Sequence, residues 1–454
     1  MPIKKWLNQV EVEPNESNFS PSDVHSCSKT IPIALKSLSE PSSRITADNC
    51  VSLLKAKYPE VFREGVGVLK GITARLFLKD DARPVFCKAR SIPHSFQDKV
   101  KAELDRLEED GIISKVESSE WAIPIVPVIK TDGSIRICGD FKVTVNPQLK
   151  SDDYPLPRIE ELFTSLENVR RFCKIDLSQA YLHMEIEESD RSILTLNTPK
   201  GLFQLNRLPF GIKTAPAIWQ RAMERMLHGV PGISILLDDL RIAGKDDEEL
   251  WSRLCLVFDR LQKFGLRINF KKCAFLADEI EYCGHVIDKN GLHTSKTKIK
   301  AIMDAPLPEN VSQLRAFLGT VNYYGRFLAN LASILNPLYE LLKDGQPWVW
   351  SSKCEQSFRK VKELMCSNLV LAHYNHELPI VLTCDASKYG LSAVISHVMP
   401  DGTDLPIAFA SRTLSSAEIN YSQIDKEALG IVWGVKGCSS HLSCSSQQTA
   451  GLFR

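Results

Sequence analysis

The chain has 454 residues, 44% hydrophobic and 24% charged, the mix of a globular protein large enough for two to four domains. A net charge of +1 excludes a global field that would attract a polyanion, so any nucleic-acid partner must be met by local patches. The 13 cysteines form no CxxC pair and no Cys/His zinc spacing, which indicates reduced thiols in an intracellular protein, cytoplasmic or nuclear. No apolar run reaches about 18 residues and the start lacks a signal-like apolar core, so neither membrane nor secretion is expected.

Residues 1–45 are polar, with Ser, Pro and Asn spread through them, and read as a linker or a severed segment without a core pattern. Residues 46–97 form an N-terminal extension to the unit that begins at 98, with a short helix from Asp48 to Lys57. From Asp98, Val100, Leu104 and Leu107 share a helical face, and Gly111 suits its end. Strand-like runs Trp121 to Lys130 and Ser134 to Phe141 are joined by the turn signal Thr131-Asp132-Gly133. Tyr154-Pro-Leu-Pro157 leads into a helix from Arg158 to Leu166, and Arg171 to Asp176 is a strand ending on an acid. A helix from Ala215 to His228 carries the stripe Trp219, Ala222, Met223, Met226 and Leu227, with Gln220, Arg221, Glu224 and Arg225 facing away. Leu250, Leu254, Val257, Phe258 and Leu261 mark the next helix, and Gly265 is its expected C-cap. Strands at Arg267 to Phe270 and Tyr282 to Ile287 precede mostly helix to about residue 367. From Leu378 the pattern changes to strands at Ile380 to Cys384, Ala393 to Val398 and Ile407 to Ala410, then a helix from Ser416 to Val435. That is a separate α/β unit, and the chain has no internal repeat.

The chemistry concentrates between the second and third helices. Asp238 and Asp239 sit between apolar runs that read as strands, so both fall where a tight hairpin turns. Adjacent acids are commonly just a surface turn. A third acid, Asp176, closes a strand upstream, and one sheet can bring it next to Asp238. Converging carboxylates repel unless divalent cations lie between them, and oxygen-only ligands suit Mg²⁺. Two such ions about 4 Å apart can activate a 3′-hydroxyl and stabilise a leaving pyrophosphate.

Eight ordered motifs go further: Trp121-Ala-Ile-Pro-Ile-Val-Pro-Val-Ile-Lys130, Arg136-Ile-Cys-Gly-Asp-Phe-Lys142, Tyr154-Pro-Leu-Pro-Arg158, Lys174-Ile-Asp-Leu-Ser-Gln-Ala-Tyr181, Leu208-Pro-Phe-Gly-Ile-Lys-Thr-Ala-Pro216, Leu237-Asp-Asp239, Tyr282-Cys-Gly-His-Val-Ile287 and Leu314-Arg-Ala-Phe-Leu-Gly319. With them the chain, over roughly residues 48–437, resembles the reverse transcriptase of Ty3/gypsy-type LTR retrotransposon polyproteins. The resemblance implies an α+β right-hand polymerase, with fingers, palm and early thumb over 98–288 and thumb and connection helices over 289–377. It implies that Asp176, Asp238 and Asp239 are the catalytic, metal-binding acids for two Mg²⁺ ions, or Mn²⁺. Lys130 and Arg136 match positions on the incoming triphosphate, and Tyr181 matches the position that excludes a ribose 2′-hydroxyl. Phe210 and Gly211 match the loop beside the nucleotide. Leu236, Tyr282 and Gly284 match primer and template positions, and Tyr282 to Ile287 resembles the primer-holding hairpin. The implied partners are an RNA template, a DNA or RNA primer and dNTPs. Read alone, Tyr181 is a core tyrosine and Tyr282 to Ile287 an apolar strand.

Three positions depart from the family. Leu236 stands where an aromatic, usually Tyr, is expected, and the lost hydroxyl contact is worth on the order of 1 kcal/mol. Ile123 replaces a usual Ser and Gly139 a frequent Val.

Leu382-Thr-Cys-Asp-Ala-Ser-Lys-Tyr-Gly390, Ala408-Phe-Ala-Ser-Arg412 and Tyr421-Ser-Gln-Ile-Asp-Lys-Glu-Ala-Leu429 resemble the RNase H-like domain that follows reverse transcriptase in these polyproteins. Asp385 and Glu427 would be its first two metal-binding acids. The match fades at 437 into a Ser- and Gln-rich tail, 438–454, with no further acid. An incomplete domain without RNase H activity is the expectation. Protease, zinc-knuckle and integrase motifs are absent, which reads as a polyprotein fragment. The alternative reading is an impaired relic or co-opted nucleic-acid binder, which Leu236 and the divergent C-terminal segment favour and the three acids oppose. A structural α/β protein with coincidental acids leaves the ordered motifs unexplained.

Overall fold

The computed structural model describes residues 45–437, apart from 131–132, 164–165, 167–168 and 368–369. The linker-like segment up to residue 44, Thr131 and Asp132 of the expected turn, part of the helix expected over 158–166, and the tail 438–454 lie outside the described residues.

Helix α1 (Ala47–Lys57) matches expectation, and the Asn49 side chain accepts from the Thr46 N–H at 2.8 Å. After β1 (Thr73–Ala74), α2 (His94–Glu109) starts earlier than Asp98, because Pro93 supplies a fixed-φ entry to the first turn. Val100, Leu104 and Leu107 are buried as their spacing predicts. Strands β2 (Ile113–Val116), β3 (Ile123–Ile129) and β4 (Ile135–Gly139) lead to the short α3 (Ile159–Phe163). Then come β5 (Arg171–Asp176), β6 (Glu185–Ile186), β7 (Thr195–Thr198), β8 (Gly201–Leu205) and α4 (Ala215–Leu227). Strands β9 (Ile233–Leu236) and β10 (Asp239–Gly244) precede α5 (Asp247–Phe264). Asp246 caps α5 through the Glu249 N–H, and Gly265 ends it at φ +77°, a conformation that favours glycine.

Strands β11 (Ala274–Ala277), β12 (Ile280–Tyr282), β13 (His285–Ile287) and β14 (Leu292–Thr294) come next. Helices α6 (Lys296–Met303), α7 (Val311–Tyr323), α8 (Leu331–Glu340) and α9 (Ser352–Cys366) follow. The last elements are β15 (Val370–Leu371), β16 (Ile380–Ala386), β17 (Gly390–Val398), β18 (Asp404–Thr413) and α10 (Gln423–Gly437).

Three expectations need correction. Arg267 to Phe270 is not a strand. The Arg267 N–H is spent on His183 Nε2 and the Ile268 N–H on the Val61 carbonyl, so a single bridge to Leu177 is all that forms. Tyr282 to Ile287, one strand when read alone, is two strands joined in the hairpin that the resemblance implies, because Cys283 and Gly284 take φ +49° and +68° and reverse the chain. The final helix begins at Gln423 rather than Ser416. Glu418 is drawn back to Arg412 at 2.7 Å and to the Ser415 N–H at 2.8 Å, which holds 418–420 in a separate 3₁₀ turn.

The sheets divide the labour. A five-stranded sheet, β2-β8-β7-β3-β4, and a four-stranded one, β11-β5-β10-β9, share one hydrophobic core with α1, α2, α4 and α5. A second core joins α3, Phe172 and Ala243 to the sheet β12-β13-β14-β15 and to helices α6–α9. The sheet β16-β17-β18 is covered by α10 over smaller clusters that include Leu382, Ala393, Ile395 and Ile407. Among the described residues ten cysteines are free thiols, and no helix is long and apolar enough to cross a membrane.

Candidate active site

Strands β5 and β10 pair antiparallel with Asp176 directly opposite Asp239. Directly opposed residues project to the same face of a sheet, so the pairing itself makes these two carboxylates neighbours. On its other side Asp239 pairs with Leu236 of β9, so the turn is Leu237-Asp238. The apolar pattern alone has both acids at the turn and Asp176 beside Asp238. In the structure Asp239 opens a strand as the register partner of Asp176, and Asp238 stands exposed at the tip. The Leu177 N–H donates to the Asp238 carbonyl at 3.0 Å, which ties the tip to the end of β5.

The charges are compensated by lysines. Lys272 Nζ lies 3.5 Å from Asp176 Oδ2 and Lys174 Nζ lies 3.4 Å from Asp239 Oδ1. Burial pushes the Asp176 carboxyl above the usual range, Lys272 pulls it back, and Asp238 and Asp239 push it further. Asp239 is raised in the same way by burial and by Asp238, against Lys174. Its Oδ1 is buried and receives no hydrogen bond. Among the described residues no three His, Cys, Asp or Glu side chains form a ready-made metal cage. The donor chemistry fits a hard divalent cation all the same: carboxylate oxygens only, one buried without a hydrogen bond, in acids whose burial demands a counter-charge.

Helix α4 fixes the hairpin from behind. Leu237 adopts φ +54°, unusual for a branched residue. Trp219 Nε1 donates to its carbonyl at 3.0 Å, and its N–H donates to Gln220 Oε1 at 2.8 Å. Gln220 Nε2 also donates to the Ile235 carbonyl at 3.0 Å. The helical stripe has Gln220 facing away from the core; it is fully buried against the turn instead. Helical spacing places it beside the apolar stripe, and only the turn's unpaired backbone groups explain why a polar residue is buried there. Leu236 packs its side chain against the second core, and the Tyr282 hydroxyl reaches the Asp239 carbonyl only at 3.5 Å.

Tyr181 is buried to 9% exposure, with its ring 4.9 Å from Phe210 and 6.1 Å from Trp219. Phe210 is 37% exposed, and the Arg136 guanidinium lies 5.7 Å from its ring. Tyr181, Phe210 and Arg136 thus form one contact chain. Lys130 is exposed at the tip of the β3–β4 hairpin, beyond the Val128–Arg136 pair, and joins none of these contacts. Gly211 has φ +99°, and a Cβ there would lie 3.3 Å from Phe141. Asn146 holds the Gly211 loop, donating to the Gly211 carbonyl and accepting from the Lys213 N–H, each at 2.9 Å. No sequence signal marks that residue. At Gly139 a Cβ would sit 2.6 Å from Phe141 Cζ, so the departure from Val matches the ring that covers it.

The β12–β13 turn is braced from the end of α7. The Tyr323 hydroxyl donates to the Cys283 carbonyl, and the Tyr324 hydroxyl donates to the Gly284 carbonyl at 2.8 Å. No sequence pattern singles out these adjacent tyrosines. In the last unit Asp385 is exposed near the end of β16 and Glu427 is half-buried on α10. Gln423 Nε2 bridges them indirectly, donating to the Ala386 carbonyl at 2.9 Å and to Glu427 Oε1 at 2.7 Å.

Strand-borne acids meeting a hairpin acid, with a hairpin carrying Lys130 and Arg136 before them and a second acid-bearing α/β unit downstream, are the arrangement expected of a right-hand polymerase joined to an RNase H-like unit. Comparison with known proteins agrees. Residues 128–287 match the family model of reverse transcriptase (RNA-dependent DNA polymerase), and 350–449 match that of the RNase H-like domain found in reverse transcriptase. The retrovirus-related Pol polyprotein from transposon opus of Drosophila melanogaster is 31% identical over 411 residues, covering 86% of this chain and 40% of that protein. The transposon Tf2-3 polyprotein of Schizosaccharomyces pombe is 29% identical, covering 81% of this chain and 28% of that one. This chain therefore spans well under half the length of these relatives. Among solved structures, a foamy viral protease-reverse transcriptase in complex with double-stranded DNA superposes with TM-score 0.78 at 23% identity, covering 88% of this chain and 70% of that one. The same viral protein in complex with an RNA/DNA hybrid gives 0.76 at 22% identity, covering 87% and 54%. The chain thus carries a reverse transcriptase domain followed by an RNase H-like domain, and its relatives are Pol polyproteins of transposons, the Ty3/gypsy-like Tf2 elements among them.

Proposed function

We propose that this chain is an RNA-directed DNA polymerase that transfers nucleotides from dNTPs to a primer 3′-hydroxyl on an RNA template. The observation that carries this reading is the register pairing of Asp176 with Asp239 beside the tip acid Asp238. Asp176, Asp238 and Asp239 would hold two Mg²⁺ ions, or Mn²⁺, which when bound activate the attacking hydroxyl and neutralise the leaving pyrophosphate. Lys174 and Lys272 lie beside the buried acids and oppose the upward push that burial gives their pKa values. Arg136 and Lys130 meet the triphosphate, where negative charge builds as pyrophosphate leaves. Tyr181 lies beneath the sugar with Phe210 packed on it, and its bulk disfavours a 2′-hydroxyl. Cys283-Gly284, braced by Tyr323 and Tyr324, supports the primer end. Nucleic-acid partners are supported by the complexes of the structural neighbours with double-stranded DNA and RNA/DNA hybrid.

We further propose the segment boundaries at 98, 289 and 378 as the limits of fingers and palm, thumb and connection, and RNase H-like unit. In that last unit Asp385 and Glu427 would be metal-binding acids, and the Ser- and Gln-rich residues after Gly437 offer no further acid, so this reading expects no RNase H activity. A hybrid-degradation assay in Mg²⁺ that releases cut RNA would overturn this.

Primer extension on primed RNA with dNTPs and Mg²⁺ tests the polymerase. Extension by the wild type that Asp238→Asn abolishes supports it. Leu236 favours reduced turnover, so Leu236→Tyr should raise the rate. No extension by either, with salt-sensitive RNA binding retained, would replace the polymerase with a nucleic-acid binder.

A further inference from the structure

The Tyr154-Pro-Leu-Pro157 motif touches none of the catalytic acids, yet its tyrosine ends a hydrogen-bonded chain that reaches the catalytic turn. Gln220 grips that turn through both of its amide atoms, accepting from the Leu237 N–H and donating to the Ile235 carbonyl. The same Nε2 donates to Glu224 Oε1 at 2.7 Å, one helical turn further along α4. The second oxygen, Glu224 Oε2, accepts from the Tyr154 hydroxyl. Arg221 closes the outer end, with its guanidinium 4.9 Å from the Tyr154 ring and one of its terminal nitrogens donating to Asp152.

Each link has a directional role. A side-chain amide can flip, exchanging its donor and acceptor ends. At Gln220 a flip would set Nε2 against the Leu237 N–H and Oε1 against the Ile235 carbonyl, breaking both contacts. Glu224 forbids it, because a carboxylate only accepts. Tyr154 in turn fixes the carboxylate's rotamer and raises its acceptor commitment; the mutual bond lifts the tyrosine's own pKa. Leu237 sits in the left-handed region that a branched residue avoids, so the tip needs external hold, and the tip carries Asp238.

We propose that Tyr154 and Glu224 are positioning residues of the polymerase site: through Gln220 they lock the backbone of the Leu237-Asp238 turn and so set the placement of Asp238. The segment that leads from the β3–β4 hairpin into α3 is thereby wired to the chemistry, although it touches neither acid. This rests on the polymerase reading for its kinetic consequence, but its structural consequence does not depend on activity.

The experiment has two readouts on the full chain. Backbone amide exchange of the peptide covering Ile233 to Leu240 should speed up in Tyr154→Phe and in Glu224→Ala, with exchange elsewhere unchanged. Single-nucleotide incorporation on primed RNA should lose about tenfold in kcat in Tyr154→Phe, with the dNTP KM unchanged, as expected for a hydrogen bond to a charged group. The double variant Tyr154→Phe/Glu224→Ala should be no worse than Glu224→Ala alone, since the two residues act in series. Additive losses, or hairpin exchange equal to wild type in both single variants, would overturn the proposal. A wild type that does not incorporate nucleotides would sink the polymerase reading while the exchange measurement still decides the clamp.

Discussion

In the palm, Asp176 and Asp239 are register partners on adjacent strands, and each carboxylate has a lysine within 3.5 Å. In the RNase H-like unit, Asp385 stands exposed on a strand while Glu427 rides a helix, linked only through Gln423 to the strand's end. The difference is in what forces the acids together. Strand pairing places opposed residues about 5 Å apart whatever their charge, so the repulsion must be met by cations nearby. A strand and a covering helix leave the separation to packing: Asp385 is exposed to solvent and the half-buried Glu427 is met by Gln423. The palm is therefore built around charge it cannot avoid, and the RNase H-like unit is not.

Exchanging the insult between the two regions should give the largest effect. Asp239→Asn should lower nucleotide incorporation on the order of a thousandfold or more, while Asp385→Asn leaves incorporation unchanged. Rates from a single primed template, measured side by side, check this; equal losses would erase the distinction.

The hairpin clamp comes next. Gln220→Ala leaves the Leu237 N–H and the Ile235 carbonyl without their partner, and should cost about 2 kcal/mol of stability in denaturant unfolding. Gln423→Ala, its counterpart on α10, removes bonds from a solvent-facing residue and should cost much less.

Packing makes a similar contrast. Gly139→Val restores a residue common in the family but drives a Cβ into the Phe141 ring, and should destabilise by about 2 kcal/mol. Phe141→Leu in the same chain should recover part of that loss. A stable Gly139→Val with native melting would show that the ring moves freely.

Acid should loosen the two regions in sequence. His183 is fully buried, its Nε2 accepting from the Arg267 N–H, and burial lowers its pKa from 6.5 to about 4. A folded pKa below the unfolded one gives stability that is complete above 6.5 and lost as pH falls towards 4. Glu418 is held by Arg412 from 4.5 down to about 2, so its contribution is complete above 4.5 and lost as pH falls towards 2. Amide exchange during acidification should therefore open palm peptides before those around Glu418, and His183→Gln should flatten the first step.

Much of the fold, and the acids of the candidate site, are legible in the residues alone. Arg171 to Asp176 and Gly265 come out as expected because a short apolar run ending on an acid, and glycine after a helix, have local causes. The three palm acids can be picked out, but their register cannot: whether Asp238 or Asp239 faces Asp176 depends on which residues the turn consumes. Gln220, Asn146 and Tyr324 escape because each is defined by the distant backbone group that it satisfies. Arg267 to Phe270 reads as a strand and is not one, because its donors are claimed by His183 and Val61, far away in sequence. Local physics is visible in a sequence; long-range hydrogen-bond accounting is not.

The central claim is that strand pairing of Asp176 with Asp239, next to Asp238, makes the polymerase site. Single-turnover incorporation by Asp176→Asn, with primer–template affinity measured on the same protein, tests it most directly. Loss of incorporation with affinity unchanged is the predicted result. Incorporation at the wild-type rate by Asp176→Asn would contradict it.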